Sequence, residues 1–319
     1  MLQFLIKRLI GFFFVLIGVS FITFIIGYFA PIDPIRQLMG QHYTYQGWLQ
    51  LRHAYGLDLP WYQQYYNFLV RFIHFDLGRS IHYQNRSVWE ILRDGVPISA
   101  ELSSWGLLLT LLLGIPMGIL AAVKANSWID GTTMVTALVF YALPGFILAV
   151  FAQVIIVWCN IHFDTNWPVA NWGVPWHYSW SDIQFKLIPI LVYAAGGYAY
   201  FARLTRTSML EVLNLDYVRT ARAKGLAEHV VIYKHALRNA LIPLITSIGL
   251  SIGLLIVGAL FIERIFNIQG IAHITIDAVS QGDFPIIQAT TLLAALGILL
   301  GNMLADVLYT IVDPRIRLA

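Results

Sequence analysis

Six α-helical crossings of a lipid bilayer are expected of this chain, and three of its features say so. Of its 319 residues 58% are apolar or aromatic and 12% are Asp, Glu, Lys or Arg, whereas soluble domains carry roughly 45–50% and about 25%. Charge-free runs long enough to cross a hydrocarbon core about 30 Å thick occur at Leu9 to Ala30, Leu102 to Val123, Thr132 to Cys159, Asn239 to Ile262 and Phe284 to Ala305. None alternates with the period of two that a barrel strand requires, and an open sheet in lipid would leave backbone groups unpaired. The expected fold is therefore an all-α membrane protein. Its 20 basic and 17 acidic side chains leave a net charge of +3, too small and scattered an excess to mark a nucleic-acid surface. The single cysteine, Cys159, excludes an internal disulfide framework.

The first run follows Lys7 and Arg8, and Tyr28-Phe29-Ala30-Pro31 makes a poor cleavage site, so residues 1–30 read as a retained anchor. Residues 31–97 are polar enough to lie outside the bilayer yet rich in Trp and Tyr, which favour its boundary. A helix is expected there from Asp58, with Pro60 in its first turn and Trp61, Tyr65, Phe68, Leu69 and Phe72 on one side. A second starts at a capping box of Ser87 and Glu90, with Gly95 as a left-handed stop. Both read as a packed lid on the outer face. The sixth crossing is Leu187 to Ala202, only about 24 Å at the helical rise, so it is expected to run past Arg203 with that guanidinium reaching the headgroups.

Orientation follows from the basic residues near the span ends. Lys7, Arg8 and Lys124 fall on one side with Arg203, Arg206, Arg219, Arg222, Lys224, Lys234, Arg238, Arg315 and Arg317, whereas the short opposite loops hold Lys186 and Arg264. Both termini are expected in the cytosol. The inner loop, 203–238, reads as two short helices. Asp216 caps the first, Arg219, Thr220, Ala221, Arg222, Ala223 and Lys224 fill it, and Gly225 ends it. The second runs from about Glu228 toward Pro243, with Leu226, Val230, Tyr233, Leu237 and Leu241 near one stripe. Pattern alone leaves two readings of that stripe: resting on its own bundle or on anionic lipid, or docking into another protein.

The same loop carries a resemblance. Leu210-Glu211, Asp216-Tyr217-Val218-Arg219-Thr220-Ala221-Arg222-Ala223-Lys224-Gly225-Leu226 and His235-Ala236-Leu237-Arg238-Asn239-Ala240-Leu241-Ile242-Pro243 are similar to the permease subunits of bacterial ATP-binding cassette importers of the dipeptide and oligopeptide branch. Tyr55-Gly56-Leu57-Asp58-Leu59-Pro60, Asp76-Leu77-Gly78 and Asp313-Pro314-Arg315-Ile316-Arg317 agree with it. The resemblance implies a type I importer permease fold with a core over 98–312 and a cytoplasmic tail at 313–319. It also implies a coupling surface of Glu211, Asp216, Tyr217, Arg219, Thr220, Ala221, Arg222, Lys224, Gly225 and Leu226 that sits in a cleft of an ATPase subunit. The implied partners are a homologous second permease, two ATPases that bind ATP and Mg, an extracytoplasmic substrate-binding protein and the lipid of a bacterial inner membrane. No cofactor is expected in this chain, and no nucleic acid partner. Against the family's Glu-Ala-Ala-glycine motif, Arg219 replaces the glutamate and Thr220 the first alanine, while Ala221 and Gly225 remain; the motif's later Ile and Pro fall on His235 and Arg238. Phe75 stands where relatives usually have glycine, and Ala142 where they have serine.

Other chemistry is weaker. No G-x-x-x-x-G-K-[ST] occurs, so the chain lacks a phosphate cradle of its own. Gly249-Leu250-Ser251-Ile252-Gly253 fits a hydrolase nucleophile elbow but lies mid-span with no histidine inside any hydrophobic run, which leaves an intramembrane serine protease a poor rival. A secondary transporter would carry ionisable groups near the midplane, and the six runs carry none. Gly114 and Gly118, Gly249 and Gly253, and Gly297 and Gly301 form small-x-x-x-small pairs that let helices approach closely. Pro116, Pro144 and Pro189 are candidates for kinks, and Asp306 for an ion pair with Arg203 or Arg206. The expected function is a non-catalytic permease for peptides, with nickel chelates, haem or sugars as alternative cargo of the same class.

Overall fold

The computed structural model describes residues 2–83 and 86–312. Among these, six helices are long and apolar enough to cross a membrane: Arg8–Tyr28, Val88–Val123, Gly145–Phe163, Trp180–Leu213, Glu228–Gly253 and Phe284–Leu308. The first belongs to α1 (Leu2–Tyr28). The outer segment comes next as α2 (Pro34–Met39), α3 (Tyr45–Ala54) and α4 (Trp61–Ile73). The α4 helix starts at Trp61, later than the expected Asp58, because Pro60 is extended and precedes its first turn; Tyr65 packs on Phe21 and Phe24 of α1 while its hydroxyl meets Ser20. Phe75 adopts a φ of +57°, the left-handed region that strains a bulky side chain and that the glycine implied by the resemblance would occupy without strain.

The second helix of the outer segment does not stop at Gly95. Ser87 and Glu90 do form the capping box, but the helix they open, α5 (Val88–Val123), continues through Gly95 and Pro97 to the far end of the second crossing, the inner end in the orientation expected from the basic residues. At Gly95 a β-carbon would lie 2.7 Å from the Ile274 side chain, so this glycine serves close packing rather than termination. At about 54 Å α5 outruns the hydrocarbon core and carries its first turns into the outer face.

The run Thr132 to Cys159 is broken into α6 (Trp128–Ala142) and α7 (Gly145–Phe163). Leu143 and Pro144 are both extended, because proline disfavours the helical region for the residue before it and brings no N–H of its own. The two pieces act in series as one crossing: α6 starts beside the inner part of α8 (Trp180–Leu213) through Asp130 and Arg206, and α7 ends where Asn160 holds the outer loop at Trp167. The chain turns back at Leu213 into α9 (Asp216–Ala223), then α10 (Glu228–Val230), a π-helical turn at Val231–Ala236 and α11 (Leu237–Gly253). The fifth run therefore ends at Gly253, not Ile262; Ile262 belongs to α12 (Leu260–Ile265), which with α13 (Ile271–Gln281) fills the outer side before α14 (Phe284–Val312).

Glycine sets the helix spacing. On α5, a β-carbon at Gly118 would fall 2.6 Å from the carbonyl oxygen of Ala202 on α8; on α11, one at Gly253 would fall 2.6 Å from the carbonyl oxygen of Gly297 on α14. All three small-residue pairs thus lie in seams where backbones touch. Asp306 pairs with Arg8 of α1, not with Arg203 or Arg206, because α14 packs beside α1 and Arg206 is already held by Asp130. The expected motif at 313–317 lies outside the described residues.

On the outer face the loop between α7 and α8 is fixed by a buried ion pair. Glu101 and Lys186, both almost fully buried, meet at 2.8 Å. The other two protons of Lys186 go to the carbonyls of Val174 and His177, each at 2.8 Å, and Glu101 accepts from the Trp172 indole and the Trp176 amide, each at 2.9 Å. Lys186 is therefore an interior residue rather than a loop charge facing water.

Candidate functional site

The loop 203–238 places α9 against the inner ends of α5, α8 and the π-helical turn. Its buried side is small: Val218 and Ala221 join Ile119, Ala122, Met209 and Val231 in one apolar cluster. With 3.6 residues per turn, Asp216, Arg219 and Thr220 then point away from the bundle, and all three are exposed. Asp216 does not cap the helix. Leu215 occupies that position with no side-chain hydrogen bond, and Asp216 is the first helical residue, where its charge still suits the helix dipole. Gly225 ends the helix as expected, with a φ of +76° and its amide bonded to the Arg222 carbonyl at 2.9 Å.

Two contacts hold α9 to α10 and α11. The Tyr217 hydroxyl accepts from the side-chain amide of Asn239 at 2.6 Å, and Arg222 grips Glu228 with its closest contact at 2.8 Å. The hydrogen bond to Glu228 holds the Arg222 guanidinium above its usual basicity, so it is cationic at every physiological pH. Neither partner was legible in sequence, since six and twenty-two residues of separation across two turns match no helical spacing.

The expected apolar stripe after Gly225 is displaced. Leu226 and Tyr233 are exposed, the latter by 59%, whereas Val231, Ile232, Ala236 and Ala240 are buried. The π-helical turn inserts an extra residue per turn, so a stripe drawn at the α-helical period falls off the true face. The consequence is an inner surface on which Leu215, Tyr217, Leu226 and Tyr233 remain uncovered among exposed Glu211, Asp216, Arg219, Arg222 and Lys224. Apolar anchors inside a rim of charge are the anatomy of a protein interface. Of the expected coupling residues, Ala221 alone is turned inward and supports the surface from below.

Comparison with known proteins covers nearly the whole chain. The family model for "Binding-protein-dependent transport system inner membrane component" matches residues 114–318, and that for the N-terminal part of such membrane components matches residues 1–103. The chain is 36% identical over 342 residues to the dipeptide transport system permease protein DppB of Escherichia coli (strain K12), covering 99% of each. It is 34% identical to the oligopeptide transport system permease protein AppB of Bacillus subtilis (strain 168), over 99% of this chain and 100% of the relative. The glutathione transport system permease protein GsiC of Shigella flexneri serotype 5b (strain 8401) is 35% identical, over 99% of each.

Proposed function

The chain belongs to the family of binding-protein-dependent transport system inner membrane components, and on that premise we propose that it is one permease subunit of an ATP-driven importer of peptides. The observation that carries the reading is the inner surface around α9, an exposed apolar patch ringed by charge and bolted to three spanning helices through Val218 and Ala221. Motion imposed on α9 from the cytosol is transmitted to α5, α8 and α11 because the packed cluster between them has no slack. Separate ATPase subunits, with ATP and Mg, are the source of that motion; a second permease completes the path, and an extracytoplasmic binding protein delivers cargo. The names of the relatives, dipeptide, oligopeptide and glutathione permeases, support a peptide cargo. In this reading both termini lie in the cytosol of a bacterium, residues 31–97 face outward and 98–312 form the transport core.

The test is Gly225→Pro against Gly225→Asn. Proline cannot adopt the positive φ at this position and removes the amide bonded to Arg222, whereas asparagine tolerates both. Gly225→Pro is expected to abolish ATPase co-purification and peptide uptake while the protein remains in the membrane, and Gly225→Asn to retain both. Normal uptake in Gly225→Pro would refute the coupling role.

A further inference from the structure

The uncovered faces of the spanning helices differ in chemistry. Those of α1 and α7 are apolar, with Phe14, Ile22, Phe151, Ile155 and Ile161 exposed, as lipid requires. The uncovered face of α8 is different: Gly196, Tyr200, Arg203 and Thr207, at spacings of four, three and four, form one exposed stripe. This stripe lies between α6 on one side, through Arg206 and Asp130, and α11 on the other, where the Tyr200 hydroxyl meets that of Ser247 at 2.9 Å. Hydroxyls and a guanidinium on a spanning helix face protein or water rather than hydrocarbon.

Arg203 is the one cation of this stripe. Its neighbour Arg206 is neutralised by Asp130, but among the described residues no carboxylate lies within ion-pair distance of Arg203; its guanidinium lies 4.4 Å from the centre of the Tyr141 ring instead. It opens on a cavity of about 230 Å³ walled by Met134, Ala137, Leu138, Tyr141 and Ala199. A fixed positive charge at the edge of an apolar hollow fits a ligand with a carboxylate beside an apolar side chain. Resting on the permease reading above, we propose that the α8 stripe lines the transport path and that Arg203 receives the C-terminal carboxylate of the peptide in transit. Tyr141 sits next to the extended Leu143–Pro144 break, so the ring that stacks on Arg203 belongs to the end of a half-helix.

The experiment uses the whole transporter in proteoliposomes, fed with alanyl-phenylalanine or its C-terminal amide, with uptake expressed per loaded binding protein. Arg203→Gln is expected to slow uptake of the free acid about tenfold, the value of one charge-assisted hydrogen bond, and to leave the amide within about twofold. In a Cys159→Ala background, Thr207→Cys is expected to react with a water-soluble thiol reagent and to be protected by the free acid. Equal loss for both peptides overturns the proposal. So does a Thr207→Cys that fails to react, or one protected by anionic lipid and not by peptide. If the wild-type transporter hydrolyses ATP but takes up neither peptide, the cargo assignment fails, and the labelling arm still decides whether the stripe is water-lined and binds a carboxylate.

Discussion

The two faces of the membrane domain are held by opposite means. On the outer side, Glu101 and Lys186 are buried with every proton of the lysine used, and the loop between α7 and α8 is closed around them. On the inner side, α9 is held by two small apolar side chains, one amide-to-hydroxyl contact and a surface ion pair, and its far side is open. A saturated polar network makes a site rigid and self-sufficient. A shallow apolar footing with an unsatisfied outer surface makes one that is completed by a partner.

Breaking the outer network is expected to cost most. Lys186→Met leaves a carboxylate buried and unpaired, a loss of about 3–5 kcal/mol, seen as a large drop in melting temperature in nanodiscs. The double variant Glu101→Leu with Lys186→Met should recover most of it; if the double is no better than the single, the network is not what closes the loop. On the inner side Val218→Asp places a charge in the apolar cluster and should lift α9 at a local cost of roughly 3 kcal/mol. Uptake and ATPase stimulation should be lost while the melting of the outer part is unchanged, and a global loss of fold would erase the distinction drawn between the faces.

These contrasts are only partly readable from sequence. The six crossings are legible because charge-free runs of that length have few alternatives in lipid, and the glycine seams because their spacing is that of one helix face. The breaks are not: the run Thr132 to Cys159 shows no polar residue at Leu143, and only Pro144 hints that two half-helices replace one. The partner of Asp306 is not the one expected because pairing between α14 and α1 joins residues some three hundred apart, which no periodicity encodes. At α9 the helix and its end at Gly225 are legible, but its buried side is not, since Ala221 is expected on the coupling surface and is turned inward; nor is the displaced stripe, since a π-helical turn has no sequence signal in a single chain.

Smaller effects sharpen the comparison at its edges. Asp306→Arg is expected to release α1 from α14 at about 1 kcal/mol, and adding Arg8→Asp to restore it, read as complex yield after solubilisation; no rescue by the swap would show that apolar packing alone holds α1. Tyr217→Phe removes the bond to Asn239 and should weaken coupling by about 1 kcal/mol, lowering uptake several-fold with ATPase binding intact. The smallest effect concerns the exposed outer pair His53 and Asp58, 2.6 Å apart. The hydrogen bond to Asp58 raises the histidine above its ordinary 6.5, and the same bond lowers the aspartate below 3.8. The histidine contribution is full below its unfolded pKa and fades as pH rises through the raised value; the aspartate contribution fades as pH falls through the lowered one. The α3 end should therefore be tightest between these limits, checked by titrating His53 in NMR spectra of wild type and Asp58→Asn.

The π-helical turn at Val231–Ala236 holds one residue more than an α-helix would need for the same height. Upstream of it the chain grips Arg222 through Glu228, and downstream it interlocks glycines with α14, so the surplus residue fixes the angular phase between the cytosolic knob and the membrane seam. Deleting one residue there, for instance Tyr233, would let the stretch relax to ordinary α-helix and leave the knob nearly in phase with the seam, because five α-helical residues turn through about the same angle as six π-helical ones. Winding all six residues as ordinary α-helix would instead turn the knob by about 100° against the seam.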